Sequence, residues 1–274
     1  MNTIAIVDAF VTDRAFSGNP AAVCLLGKDT SDAWLQGLAQ EMNLSETAYP
    51  RRRADGDWDL RWFTPTTEVD LCGHATLASA HRLWERGLVE PAASIRFHSR
   101  SGPLGVRQGD NGLLELDFPM VAYQPADLPA GEQETLLEAL GVMPLAIARA
   151  GPDLLVELPE PDVLIALQPD FPTLARLPYR GIIVTSPGDQ ADIDCISRFF
   201  APAAGVAEDP VTGSAHCALA PYWGRRLARP TLTAAQRSHR GGLLHLRLDG
   251  QRVRIAGRAR TVASGDLLLE PAAP

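Results

Sequence analysis

Arg61-Trp62-Phe63-Thr64-Pro65 is answered by Arg198-Phe199-Phe200-Ala201-Pro202, 137 residues further on and half the length of the 274-residue chain. Each copy runs through a polar loop into a helix start built from small residues. The first is Leu71-Cys72-Gly73-His74-Ala75-Thr76, and the second is Asp209-Pro210-Val211-Thr212-Gly213-Ser214-Ala215. Spacing, order and the following glycine repeat together, which is the mark of a duplication. Two structurally similar halves are expected.

Working outward, Ile4 to Phe10 and Ala21 to Leu26 read as strands. Ser31 to Met42 has helical spacing, with Trp34, Leu35, Leu38 and Met42 on one face. Asp59 to Phe63 reads as a strand, and a second helix is expected from His74 to Arg86, stopped by Gly87. Ile95 to Phe97, Leu104 to Arg107 and Leu113 to Phe118 read as meandering strands. A crossover is expected near Pro119 to Pro129, then further strands from apolar runs such as Leu154 to Leu158 and Val163 to Leu167, with a short helix at Glu134 to Leu140. Gly181 to Thr185 and Ile193 to Phe200 are strand candidates. Ser214 to Leu227 reads as a helix that Pro221 should kink, because proline has no N–H for the carbonyl four residues back. Leu243 to Leu248, Asp249-Gly250 and Arg252 to Ile255 read as a hairpin.

Bulk properties narrow the function. Hydrophobic residues make up 46% and charged residues 21%, a globular balance. The net charge of -8 argues against nucleic acid, and the one basic run, Arg51-Arg52-Arg53, reads as a solvated loop before Ala54-Asp55-Gly56-Asp57. No window approaches the roughly 20 apolar residues of a membrane span, and the alternating start reads as a strand rather than a signal peptide. Cys24, Cys72, Cys195 and Cys217 show no paired spacing, which fits reduced thiols in the cytoplasm. Lys28 is the single lysine and sits in a turn, a poor place for the Schiff base of a pyridoxal enzyme.

In both halves a glycine opens a helix rich in small residues. A helix N-terminus presents unpaired N–H groups and partial positive charge, so two of them facing one cleft would hold an anionic substrate such as a carboxylate. Each glycine alone equally serves a tight turn. Three ionisable residues stand out: Glu46 in Asn43-Leu44-Ser45-Glu46-Thr47 at the junction of a helix and a strand, His74 at the opening of the first central helix, and Asp209 ahead of the second. Moving a proton between carbons needs a positioned base, an acid for its return and donors for the intermediate. On the residues alone, Glu46 as a surface carboxylate, Asp209 as a helix cap and His74 as a first-turn side chain stay open. His74 and His81 lie too far apart on their helix for a simple metal chelate, and phosphate-loop, paired-cysteine and nucleophile-elbow motifs are missing.

Asp8-Ala9-Phe10, Gly18-Asn19-Pro20-Ala21-Ala22-Val23, Asn43-Leu44-Ser45-Glu46-Thr47, Cys72-Gly73-His74-Ala75-Thr76 and Glu208-Asp209-Pro210-Val211-Thr212-Gly213-Ser214-Ala215-His216-Cys217 together resemble the PhzF-like, or phenazine biosynthesis-like, family. Residues 119 to 180 contribute nothing to the likeness. The resemblance implies an α/β (α+β) diaminopimelate-epimerase-like fold of two pseudo-symmetric domains, each a mostly antiparallel sheet wrapped around a central helix. It implies domains at 1–118, completed by a C-terminal strand at 260–274, and at 119–259, with the site in the cleft between them. It further implies a homodimeric isomerase without a cofactor, acting on a small carboxylate such as a dihydro-hydroxyanthranilate. By the same resemblance Glu46 is the general acid/base, His74 and Asp209 assist, and Ser45, Gly73, Gly213 and Ser214 hold substrate. Two rivals stand beside it: a two-base racemase or epimerase using Cys72, and a catalytically silent small-acid-binding protein. Against the first, the second helix start carries no matching thiol.

Overall fold

The computed structural model describes residues 2–270. The chain divides into two compact units, residues 1–118 with 255–274, and residues 119–254.

The first unit opens with β1 (Thr3–Ala9) and β2 (Asn19–Leu25), which pair antiparallel. Helix α1 (Asp32–Met42) carries the chain to β3 (Glu46–Arg52), parallel to β2 with Glu46 opposite Ala21. Parallel neighbours need such a crossover. The α1 face foreseen from spacing packs on this sheet: Leu35, Leu38 and Ala39 are buried with Cys24, Tyr49 and Phe63, while Trp34 and Met42 lean on the same cluster. Each buried leucine there contributes roughly 1.5–3 kcal/mol of transfer free energy. Asn43, at φ 48°, closes α1 by donating its N–H to the Ala39 carbonyl and turns the chain directly into Ser45 and Glu46.

Strand β4 (Trp58–Phe63) pairs antiparallel with β3 and with the two-residue β5 (Glu68–Val69). Arg51 and Arg52 lie on the exposed end of β3 rather than in a loop, and Arg51 is ion-paired with Asp29 and Asp59. Helix α2 (Gly73–Glu85) then crosses to β6 (Ile95–Ser99), parallel to β4, and β7 (Gly102–Gln108) and β8 (Leu114–Pro119) follow antiparallel. Eleven of the thirteen α2 residues are buried, including Thr76 and Ser79, whose hydroxyls donate to the Cys72 and Ala75 carbonyls. Its small residues let it lie close against β1, β2 and β3 as the unit's central helix.

The second unit begins with β9 (Tyr123–Pro125), α3 (Ala130–Leu140), β10 (Ala146–Ala150) and β11 (Asp153–Glu157). Helix α3 starts four residues ahead of the expected Glu134. The run Val163 to Leu167, expected as a strand, is instead the helix α4 (Pro161–Ile165), followed by α5 (Phe171–Leu174). Pro161 and Pro172 sit in the first helical turns, where proline is tolerated and preset for helix, and a five-residue apolar run has no period of its own to oppose them. Strand β12 (Ile182–Pro187) is parallel to β11, and β13 (Cys195–Ala201) is antiparallel to β12. Short β14 (Val206–Asp209) returns along β13, and α6 (Gly213–Leu227) crosses to β15 (Thr231–Gln236), parallel to β13. Strand β16 (Gly242–Asp249) pairs antiparallel with β15, and β17 (Arg252–Gly257) leads back toward the first unit's sequence.

Each unit thus repeats one plan: an antiparallel pair, a parallel crossover, a strand, a short return strand, a central helix, and a strand parallel to the one before it. The chain finishes with β18 (Ala259–Asp266), antiparallel to β1. The strand expected at 260–274 ends at Asp266, and residues 271–274 lie outside the described residues.

Helix α6 runs through Pro221 without a break in its helical span. The carbonyl that proline leaves without its helical partner is that of Cys217, and the Val121 N–H donates to it at 3.1 Å.

Candidate active site

In the first unit, Glu46 opens β3 and His74 is the second residue of α2. Their side chains meet: Nε2 of His74 lies 3.1 Å from Oε2 of Glu46. The His74 ring is buried, and Oε2 of Glu46 is shielded from solvent yet accepts no aligned hydrogen bond. On the other side of the ring, Asn19 brings its amide within 3.1 Å of Nδ1. A charged ring donates from Nδ1 and takes the amide oxygen there, whereas a neutral Nε2–H tautomer takes the amide nitrogen. Asn19 is held by a turn only glycine permits: Gly18 has φ +81°, and a Cβ there would lie 2.4 Å from the Ala9 carbonyl oxygen.

Cys72, the N-cap of α2, places its sulfur 3.5 Å from Nδ1 of His74. Burial pushes the Cys72 thiol up to about 11, so near neutral pH the sulfur is an uncharged thiol. Burial opposes charge on the His74 ring, while the Cys72 sulfur and the Glu46 carboxylate favour it, and the balance holds the ring above the usual histidine range. With the thiol neutral, Glu46 is the charge that acts. Ligand atoms of Glu46, Cys72 and His74 lie within 4.8 Å of one another, a mixed sulfur, nitrogen and oxygen donor set that suits a divalent metal.

In the second unit, Asp209 ends β14 and Thr212 is the N-cap of α6. The Thr212 hydroxyl donates to Oδ2 of Asp209 at 2.5 Å. Ser214, in the first turn of α6, accepts from Arg180 at 3.3 Å, and Arg180 is itself anchored on Asp153. That leaves the Ser214 hydroxyl hydrogen available to donate elsewhere.

Both central helices start on a buried glycine, Gly73 and Gly213, without a side-chain cap and without an acidic residue in the first turn. Their fourth residues behave alike as well. Thr76 donates to the Cys72 carbonyl, and Nδ1 of His216 lies 2.8 Å from the Thr212 carbonyl. Burial pushes His216 down to about 4, so its ring is neutral.

Of the residues singled out from sequence, the structure brings Glu46 and His74 into contact, sets half-buried Ser45 next to Glu46 in the chain, and puts Gly73 and Gly213 at helix starts. Asp209 and Ser214 flank Thr212 in the chain, Asp209 taking the Thr212 hydroxyl and Ser214 taking Arg180. Sequence reading gave no role to Asn19 or Gln236. Asn19 stood in the quoted Gly18-Asn19-Pro20 motif, whereas Gln236 carries no local signal.

Residues 7–265 match the family described as Phenazine biosynthesis-like protein. An uncharacterized isomerase of Halalkalibacterium halodurans is 49% identical over 97% of this chain and 98% of its own length. A second uncharacterized isomerase, from Pseudomonas aeruginosa, is 52% identical over 96% of this chain and 97% of its own. A crystal structure of a phenazine biosynthesis protein of the PhzF family from Enterococcus faecalis superposes with a TM-score of 0.90 at 40% identity, covering 98% of this chain and 99% of that one. Among the described residues, no helix is long and apolar enough to cross a membrane.

Proposed function

The chain belongs to the phenazine biosynthesis-like family, and from that premise we propose that this isomerase moves a proton between carbons of a small carboxylate-bearing substrate, with Glu46 as general acid/base. The observation that carries the reading is the Glu46 oxygen, shielded from solvent and without an aligned donor, 3.1 Å from a buried histidine. A carboxylate so placed takes a proton from a carbon beside an electron-withdrawing group. The C–H electron pair delocalises into the substrate, and the protonated carboxyl, once exchanged with solvent, delivers a proton to a different carbon as the double bond migrates. No electrons leave the substrate, and the step needs no redox partner.

His74 is proposed to steady the Glu46 charge before and after transfer, since its ring is favoured in the charged form. The uncapped N–H groups at Gly73 and Gly213 are proposed to receive anionic substrate oxygens, with the hydroxyls of Ser45 and Ser214 beside them. Asp209 is proposed as the second ionisable participant.

The test is deuterium incorporation from heavy water into a dihydro-hydroxyanthranilate. Glu46→Gln should lower the rate by at least about 100-fold, and undiminished incorporation in that variant would exclude Glu46 as the base. Cys72→Ala, in the same assay, separates this reading from a cysteine-based racemase. A neutral thiol is a weak base, and the variant should keep incorporation within about tenfold. A wild type that binds the acid yet exchanges no carbon-bound hydrogen would instead indicate a silent binding protein.

A further inference from the structure

Gln236 is the last residue of β15, and it is fully buried. Every hydrogen bond its amide makes goes to the segment between Asp209 and Thr212. Oε1 accepts from the Thr212 N–H at 2.8 Å, while Nε2 donates to the Asp209 carbonyl at 2.7 Å and to the Thr212 hydroxyl at 3.2 Å. The amide's orientation is dictated by its partners, because a backbone N–H only donates and a backbone carbonyl only accepts.

That orientation fixes the next one. Nε2 can only donate, so the Thr212 oxygen is an acceptor on that side, and its single hydrogen is directed at Oδ2 of Asp209, 2.5 Å away. Thr212 is the N-cap of α6, yet its side chain does not cap the helix. The hydroxyl that would ordinarily satisfy an orphan N–H of the first turn is committed to the carboxylate instead. In the first unit the matching N-cap is Cys72, which has no hydroxyl, so the relay belongs to the second unit alone.

We propose that Gln236 is a positioning residue of the reaction, holding the Asp209 carboxylate in one orientation through the Thr212 hydroxyl. The inference rests on the participation of Asp209 proposed above. A hydrogen bond donated to a carboxylate favours its ionised form, so loss of the relay is readable at Asp209 itself, without substrate.

The experiment is a carbon-13 carboxyl NMR titration of the full-length protein, with the Asp209 signal assigned from Asp209→Asn. In Gln236→Leu and in Thr212→Val the Asp209 midpoint should rise by about one pH unit, while Thr212→Ser should restore it. The same two variants should lose about tenfold in deuterium incorporation into dihydro-hydroxyanthranilate. If Gln236→Leu does not fold, Thr212→Val decides, because it removes the hydroxyl in nearly the same shape. An unmoved midpoint in the folded variants, or a moved midpoint with full exchange, overturns the proposal. Full exchange in Asp209→Asn would instead remove Asp209 from the proposed reaction, a separate failure.

Discussion

Arg198 grips Glu208 through Nε and a terminal nitrogen at 2.7 and 3.0 Å, and its guanidinium lies 5.0 Å from the Phe200 ring. Arg61 does the same with Glu68, at 2.7 and 2.8 Å, and stacks 5.1 Å from Phe63. The repeated pentapeptide therefore repeats a device: an arginine at its first position, an aromatic ring at its third, and a glutamate on the short strand that returns alongside. Paired forks of this kind add geometric specificity where β5 and β14 pair with β4 and β13.

The two copies should differ in worth. Arg198 also donates to the Leu167 carbonyl at 2.6 Å, and its side chain is 11% exposed against 33% for Arg61. Arg198→Ala should cost about 3 kcal/mol, since it strands the Glu208 carboxylate, whereas Glu68 keeps its ion pair with Arg100 when Arg61 is lost, so Arg61→Ala should cost about 1 kcal/mol. Urea unfolding of the two variants measures the difference, and equal losses would contradict it.

His216 makes the fold sensitive to acid. Its folded value of about 4 lies below the ordinary 6.5, so the unfolded chain binds the proton more readily. Stability is whole above pH 6.5 and falls as pH drops toward 4, by about 3 kcal/mol from this residue. His216→Thr copies the back-bonding Thr76 of α2 and should flatten the acid limb of a stability profile. An acid limb of unchanged steepness in that variant counts against the assignment.

His74 works in the opposite direction. Its folded value is raised, so its contribution is complete below pH 6.5 and declines as pH climbs toward the folded value. The stability gap between wild type and His74→Asn, followed by urea unfolding from pH 6 to about 9, should narrow steadily. A gap that stays constant or widens would mean that the ring is neutral beside Glu46.

Much of this was legible in the chain. The repeated Arg-x-Phe pattern announced two halves, and glycine before small-residue runs located both central helices within a residue or so. His74 was nameable because it adjoins such a signal, and Glu46 because it stands at a helix-to-strand junction in the Ser45-Glu46-Thr47 motif that carries the family resemblance. What stayed hidden had no local signature. Val163 to Leu167 is too short to display a period, and only Pro161 hinted at the helix. Gln236 reaches Thr212 across 24 residues of sequence, through a parallel pairing of β13 and β15 that no window of neighbouring residues encodes. Asn19 was visible as a letter in a motif, but its contact with His74 spans 55 positions.

The carbonyl of Cys217 gives α6 a seam. Because Pro221 leaves that oxygen to the Val121 amide, the strand-free segment after β8 is stitched to the middle of a buried helix by its own backbone. Val121 should then exchange its amide hydrogen with the slow helical amides of α6 rather than with its loop neighbours, making one loop proton a reporter of when the helix lets go.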